Sequence, residues 1–429
     1  MRRGVFWHYL EDCGPEGPHA DEAPPCARVP RFNENRPLVR VHARGRRIAV
    51  EASHAVTDGS GASEFLRTLL VAYACAGLEA ARPGAAGQEA GPAPPGAAER
   101  PPEPPHSPAP PHSPHSPHSP APPHSPSPAT RREALLREAA ELGIGLPATP
   151  PEPEELAYSS REHYVRRLPH PPDYGRAWHI DGERLPRGRY HAATLTYPSE
   201  DLRAAAAALS VSLTDFLLAL LIDALQHAYG LRPRRRRERR PIRVLVPVSM
   251  RPHTGSRTTR NFFVYVMVSI DQRLGVYPLE EIARTAHHQL RAELDQRSLR
   301  RQISRNVAAE RHPLIRIIPV ALKDLILRTV HRLEGEAVNT ASFSNLGVLQ
   351  LPAALQPEVT LLEFLPPASY TTGINMTAVS TTTTVSIGFG SVLADHRIER
   401  HIARRLAERG LRGRLRCNWT EPGESRGVL

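Results

Sequence analysis

The stretch RRIAVEASHAVTDGSGASEFLRTLLVAY, residues 46–73, changes character twice. Its first part alternates apolar and polar side chains, the period of a half-buried strand. The alternation stops at Ser53-His54, and a polar turn follows with Asp58 and Gly59 four and five places after the histidine. From Ser60 the pattern turns helical, with Phe65, Leu66, Leu69, Leu70 and Tyr73 three or four apart as its apolar face. A histidine at the mouth of a strand can project its imidazole into a cleft. Imidazoles titrate near neutrality, so such a ring can take a proton from a hydroxyl or amine as that group attacks. On such a turn Asp58 points elsewhere and reads as the partner of an arginine that holds the loop. Gly59 relaxes the backbone where the turn enters the helix, with a second small residue, Gly61, just after it.

The strand before the turn belongs to PLVRVHARGRRIAVEAS, a hairpin over 38–52 with Arg44-Gly45 at its turn. Residues 5–9 read as another short strand. After Leu78 the composition shifts to a Pro-rich run in which HSP recurs. Such a segment cannot bury enough apolar surface to offset its ordering entropy, so 79–157 reads as a disordered insertion. Its histidines, His106, His112, His115, His118 and His124, have nothing to fix a coordination geometry and read as repeat residues, not ligands. TRREALLREAAELG (130–143) reads as a short exposed helix.

Folded character returns near Tyr158. YHAATLTY, PIRVLVPVSM, NFFVYVMVSI, TASFSN, PEVTLLEFLPP, GINMTAVS and TTTTVSIGFG read as strands. PSEDLRAAAAALS, SLTDFLLALLIDALQHAYG, 278–297, 312–333 and 396–409 read as helices, the second opened by a capping box of Ser212 and Asp215. Strands alternating with helices, and late strands in a run, give the fold class α/β with mixed sheets. The expected domains are an N-terminal lobe over 1–78, the insertion 79–157, a return segment of that lobe over 158–188, a C-terminal lobe over 189–416 and a loose tail over 417–429.

Composition narrows the function. The 429 residues are 40% hydrophobic, enough for a sizeable core despite 45 prolines. The net charge of +11 is almost all arginine, since Lys323 is the only lysine. With so much Ala, Pro and Gly, that points to a GC-rich coding bias more than to a polyanion partner. The run RPRRRRERR (232–240) lacks interleaved aromatics and reads as a solvated loop, so no nucleic acid is expected. Cys13, Cys26, Cys75 and Cys417 lie far apart and form no CxxC, which argues against a zinc site or a disulfide scaffold and suits a reducing cytoplasm. No secretory signal opens the chain, and no apolar run is long enough for a transmembrane segment.

SHAVTDGSGASEFLRTLL resembles the active-site segment of acyltransferases with a chloramphenicol-acetyltransferase-like fold, the superfamily marked by HxxxDG. Within a superfamily that includes condensation domains, the form of the motif is closest to the bacterial alcohol-acetyltransferase-like branch, which has HALTDG where others carry a double histidine, so the chain reads as alcohol-acetyltransferase-like or condensation-domain-like. The resemblance extends to RRGVFWHYLED, SLTDFLLALLIDAL, PIRVLVPVSMRP followed by TRNFF, and TASFSNLGVLQLP, most of the chain outside 79–157. It implies a two-lobed, CoA-dependent acyltransferase-like fold with the active-site cleft between the lobes. It implies acyl transfer, for instance of acetyl, from a coenzyme A or carrier-protein thioester to a small alcohol or amine. His54 would be the general base, Asp58 and Gly59 the support of its loop, and Ser344 and Asn345 the polar groups near the oxyanion. No metal and no bound cofactor is implied; acyl-CoA or acyl-carrier protein is a co-substrate. The family also places a strand and a helix ahead of the GVFW block, so the first lobe reads as shortened, and that segment is where an arginine for Asp58 is expected. The alternative is a family member without turnover, acting as a binding or regulatory module.

Overall fold

The structure, a computed structural model, describes residues 38–80, 127–145, 150, 152–166, 168–169, 174–231, 240–312, 317–330, 337–367 and 369–419, with two-residue strands at 2–3, 8–9 and 19–20. The HSP repeat with its five histidines, most of the arginine run and residues 420–429 lie outside the described residues, as does all but 8–9 of the strand expected at 5–9.

The opening hairpin forms as its alternation requires. β1 (Val39–Arg44) pairs antiparallel with β2 (Arg47–Ala52), in register from Val39 opposite Ala52 to Arg44 opposite Arg47. Gly45 takes a φ of +54° in the turn, where glycine carries no Cβ penalty. α1 (Gly59–Ala80) follows, but it buries only part of the expected face. Phe65 and Tyr73 are 44% and 69% exposed, while Gly61, Arg67, Val71 and Cys75 are buried. The burial of Arg67 follows from its bonds: Nε donates to the Gln350 carbonyl (2.9 Å), Nη2 to the Leu142 carbonyl (3.0 Å) and Nη1 to Glu64 (2.8 Å). A charge so satisfied can replace an apolar anchor on a buried face.

α2 (Pro128–Glu141) forms where a short helix was read, but it is not exposed, and it lies inside the range read as a disordered insertion. Leu135 and Ala139, one turn apart, pack with Ile144 on Val71 and Cys75 of α1 and on Leu351 and Leu355. Ser127 caps its start, accepting from the Thr130 amide at 3.2 Å.

The larger layer is a seven-stranded mixed sheet. In chain order come β3 (His191–Pro198), α3 (Ser199–Ala208), α4 (Leu213–Gly230), β4 (Ile242–Ser249), β5 (Phe263–Ile270), α5 (Leu279–Glu293), α6 (Gln296–Arg311), α7 (Val320–Val330), β6 (Ala341–Val348), β7 (Ile374–Ser380), β8 (Thr384–Ser391), α8 (Arg397–Ala407) and β9 (Arg414–Cys417). The strand order is β9-β3-β8-β7-β6-β4-β5, with β6 parallel to both its neighbours and every other pair antiparallel. α4 opens on the expected capping box: Ser212 Oγ accepts from the Asp215 amide, and the Asp215 carboxylate accepts from the Ser212 amide. Phe216 to Ile222 are all fully buried, because α4 lies between the sheet and α5 and α8 in one core. No single helix among the described residues is long and apolar enough to cross a membrane.

Four further expectations change. Residues 174–188 do not return to the N-terminal unit: the Ala177 and Trp178 amides bond to the carbonyls of Ala337 and Pro241, and Trp178 and Ile180 enter the main core. The helix expected over 278–297 forms as α5 but stops at Glu293, and a helix that was not expected, α6, follows, capped by Asp295, which accepts from the Arg297 amide. PEVTLLEFLPP forms no ladder. It crosses the sheet face as an irregular strap, its Phe364 carbonyl 2.1 Å from where a Cβ on Gly388 would stand and its Pro366 carbonyl 2.2 Å from the same position on Gly390. The loose tail begins later than Cys417, which pairs opposite Ala193, while Trp419 stacks on His396 at 3.9 Å.

One irregularity of the sheet positions the site. β4 and β6 share only two paired positions, Val244 with Ala341 and Leu245 with Ser342. Beyond them the strands part, and Pro247, which has no N–H to give a ladder, stands at the parting.

Candidate functional site

His54 sits in the turn that ends β2, with an exposed side chain, at the end of β4–β5 where the main sheet meets the hairpin unit. Backbone bonds pin the turn: the Ser53 amide donates to the Leu38 carbonyl (2.7 Å) and the Val56 amide to the Ser53 carbonyl (2.9 Å). The Thr57 hydroxyl donates to the Thr259 carbonyl at 2.6 Å, tying the turn to the loop between β4 and β5.

Asp58 is the hinge of this arrangement. Oδ1 accepts from the Gly61 amide at 3.0 Å and so caps α1. Oδ2 accepts from the Phe262 amide at 2.9 Å and from Arg251 Nη1 at 3.0 Å. Its side chain is 7% exposed and that of Arg251 16%, so the pair is shielded from water. Arg251 also donates from Nε to the Thr258 carbonyl (2.7 Å) and from Nη2 to the Arg260 carbonyl (2.6 Å). One guanidinium therefore shapes the 258–260 loop while its charge holds Asp58. The loop-holding arginine was expected; its place was not. It comes from PVSMRP, 193 positions along the chain, and not from a segment ahead of GVFW.

Gly59 serves a different purpose from the backbone freedom expected of it. A Cβ there would stand 2.9 Å from Leu346 Cδ2 and 3.4 Å from Phe364 Cζ, so glycine allows β6 and the strap to close on the turn. Gly61 is tighter still, its Cβ position 2.1 Å from both the Thr259 carbonyl and Thr57 Oγ1.

Asn261 was not singled out in the sequence. Its Nδ2 donates to the His54 carbonyl at 2.8 Å and its Oδ1 stands 3.2 Å from His54 Nδ1. The Phe263 ring lies 5.5 Å from the imidazole centroid. Among the described residues no polar group bonds to His54 Nε2. The only sequence signal for Asn261 is its place in TRNFF, since its contact with His54 spans 207 positions.

Ser344 and Asn345 lie on β6 beyond its parting from β4, opposite Thr377 and Ala378 of β7. Neither hydrogen-bonds to His54. Asn345 is committed to shaping the strand end: Nδ2 donates to Thr214 Oγ1 and Oδ1 accepts from the Gly347 amide, both at 2.9 Å. The Ser344 hydroxyl has no such bond among the described residues. It shares a sheet face with Thr377 and Gly388, the face the strap crosses.

From His54 the exposed face of β4–β5 runs on through Phe263, Tyr265 and Met267, opposite Ser249, Pro247 and Leu245. None of these side chains is charged, and the intervening Val264, Val266 and Val268 point into the core. The strip is partly open beside the histidine.

No protein-family model and no curated protein matches the chain. Solved structures do. The chain is similar to polyketide synthase associated protein 5 from Mycobacterium tuberculosis at 13% identity, over 91% of this chain and 79% of that one, with a TM-score of 0.43. It is similar to the epimerization domain from the third module of tyrocidine synthetase B at 14% identity, over 88% and 71%, with a TM-score of 0.39. It is similar to the trichothecene 15-O-acetyltransferase from Fusarium sporotrichioides at 12% identity, over 52% and 48%, with a TM-score of 0.36. The chain thus spans about half the length of that acetyltransferase.

Proposed function

We propose that the chain transfers an acyl group from a coenzyme A or carrier-protein thioester to a small alcohol or amine, with His54 as general base. The observation that carries this reading is the construction of the turn: an imidazole held through one nitrogen and open at the other, on a loop braced by the Asp58–Arg251 pair. The HxxxDG resemblance points the same way. The imidazole takes the proton of the acceptor O–H or N–H as the oxygen or nitrogen attacks the thioester carbonyl carbon. The carbonyl electrons move to oxygen and give a tetrahedral oxyanion, for which the Ser344 hydroxyl is the proposed donor. The oxyanion collapses, the C–S bond breaks, and the thiolate leaves with the proton that the imidazole carries. Asp58 and Gly59 touch neither substrate; they aim the turn. The uncharged strip of Phe263, Tyr265 and Met267 favours a hydrocarbon group beside the reacting centre.

Incubation of the full chain with acetyl- and long-chain acyl-CoA and a panel of alcohols and amines tests the proposal, with acylated product followed by mass and released thiol by colour. The expected result is product that His54→Ala removes. No product with any donor, or product that His54→Ala leaves unchanged, overturns it in favour of a binding module that keeps the cleft.

A further inference from the structure

We infer that Asn261 is a positioning residue that sets the tautomer of His54 and so selects Nε2 as the atom that receives the proton. The inference follows from which groups can donate. The His54 carbonyl oxygen carries no proton, so the Asn261 atom 2.8 Å from it must be the amide NH2. The opposite amide orientation would set two carbonyl oxygens against each other and is excluded on that ground. The atom 3.2 Å from His54 Nδ1 is then the amide oxygen, which only accepts. In the neutral ring Nδ1 therefore carries the hydrogen, and the lone pair is left on Nε2, on the exposed edge of the imidazole.

The backbone that carries the amide is held on both sides. The carbonyl of Arg260, before it, accepts from Arg251 Nη2 at 2.6 Å, and the amide of Phe262, after it, donates to Asp58 Oδ2 at 2.9 Å. The turn that carries His54 is fixed by its own backbone bonds, and the Phe263 ring flanks the imidazole. The Asp58–Arg251 pair thus governs both sides of the His54–Asn261 contact. It caps the helix behind the histidine and shapes the loop that presents the asparagine. A base whose lone pair points into the protein would hold a hydrogen toward the acceptor and could not take another, so the tautomer decides whether the ring acts as a base at all.

The catalytic consequence rests on the acyltransferase reading; the tautomer does not. The test uses the full chain with its 21 histidines ring-labelled with nitrogen-15, in long-range proton–nitrogen correlation at a pH where imidazoles are neutral, His54 being assigned by its loss in His54→Gln. The expected result is an Nδ1–H tautomer for His54 in the native chain and a shift toward Nε2–H in Asn261→Leu. Asn261→Ser, too short to reach Nδ1, gives the same readout if the leucine variant does not fold. A native Nε2–H tautomer, or a tautomer that neither variant moves, overturns the inference. In an active chain, Asn261→Leu lowers kcat at least about tenfold, within the range of general-base effects, and leaves KM within about twofold. An Nδ1–H tautomer in a chain without acyl transfer supports the role of Asn261 and sinks the acyltransferase reading alone.

Discussion

Removing the Asp58 carboxylate withdraws three hydrogen bonds at once, to the Gly61 amide, the Phe262 amide and Arg251 Nη1. Loss of a helix N-cap costs about 1 kcal/mol. Breaking a buried ion pair from one side costs roughly 3–5 kcal/mol, because a charge stays behind without its partner. Arg251 keeps its bonds to the Thr258 and Arg260 carbonyls and is 16% exposed, which places the cost at the lower end. Asp58→Ala should therefore destabilise the chain by about 4 kcal/mol, a large part of the roughly 5–15 kcal/mol that holds a typical domain folded. The assay is urea unfolding of the full chain by circular dichroism, comparing midpoints at unchanged slope. A cycle with Arg251→Met isolates the pair and should give a coupling of at least about 1.5 kcal/mol. A loss under about 1 kcal/mol, or an additive cycle, would refute the claim that this pair braces the turn.

Three other expectations are open to measurement. Gly61→Ala drives a methyl to within 2.1 Å of the Thr259 carbonyl and should cost about 2–3 kcal/mol, whereas Gly77→Ala, with nothing within 4 Å, should stabilise α1 by about 0.5–1 kcal/mol; equal effects would contradict the close approach. Burial pushes the Glu399 carboxyl up from 4.5 to about 7, with Asp395 adding to the shift, and its Oε1 has no hydrogen-bond partner among the described residues. The folded state then holds the proton more tightly than the unfolded one, so the stability it contributes is complete below 4.5 and is lost as pH rises through about 7. The total is roughly 3 kcal/mol, and Glu399→Gln should raise Tm relative to the native chain at alkaline pH but not near pH 4.5; a difference that is the same at both would reject the buried acid. Tyr265→Asp, on the strip beside His54, should lower kcat/KM about tenfold for a long-chain substrate and little for a short one, a tenfold change being about 1.4 kcal/mol, less than the burial of two methylenes; equal losses for both would detach the strip from substrate.

Local pattern carried much of the fold into the sequence. The hairpin of β1 and β2, the strands β4 and β5 and the capping box of α4 are signals within a few residues, and each forms where it was read. What failed depended on distant partners. Arg67 takes a buried place on α1 only because carbonyls of Leu142 and Gln350 arrive to receive it, and no helical periodicity shows that. α6 carries so many arginines that its buried stripe, Leu299, Ile303 and Val307, is hard to see, although the spacing of four is regular. PEVTLLEFLPP has strand composition, but its carbonyls are taken up over Gly388 and Gly390 and it has no ladder partner. At the site the same division holds. His54, Asp58 and Gly59 were legible as a motif, whereas Arg251 and Asn261 lie 193 and 207 positions away in contact and could be found only once the chain had folded.

The central claim is that His54 removes the acceptor proton. Single-turnover transfer from an acyl-CoA that the native chain accepts, compared with His54→Ala of unchanged fold and donor affinity, tests it most directly. General-base catalysis contributes about 10²–10⁴-fold, so the account predicts a fall of at least about a hundredfold in the transfer step. A His54→Ala chain that transfers at the native rate would contradict it.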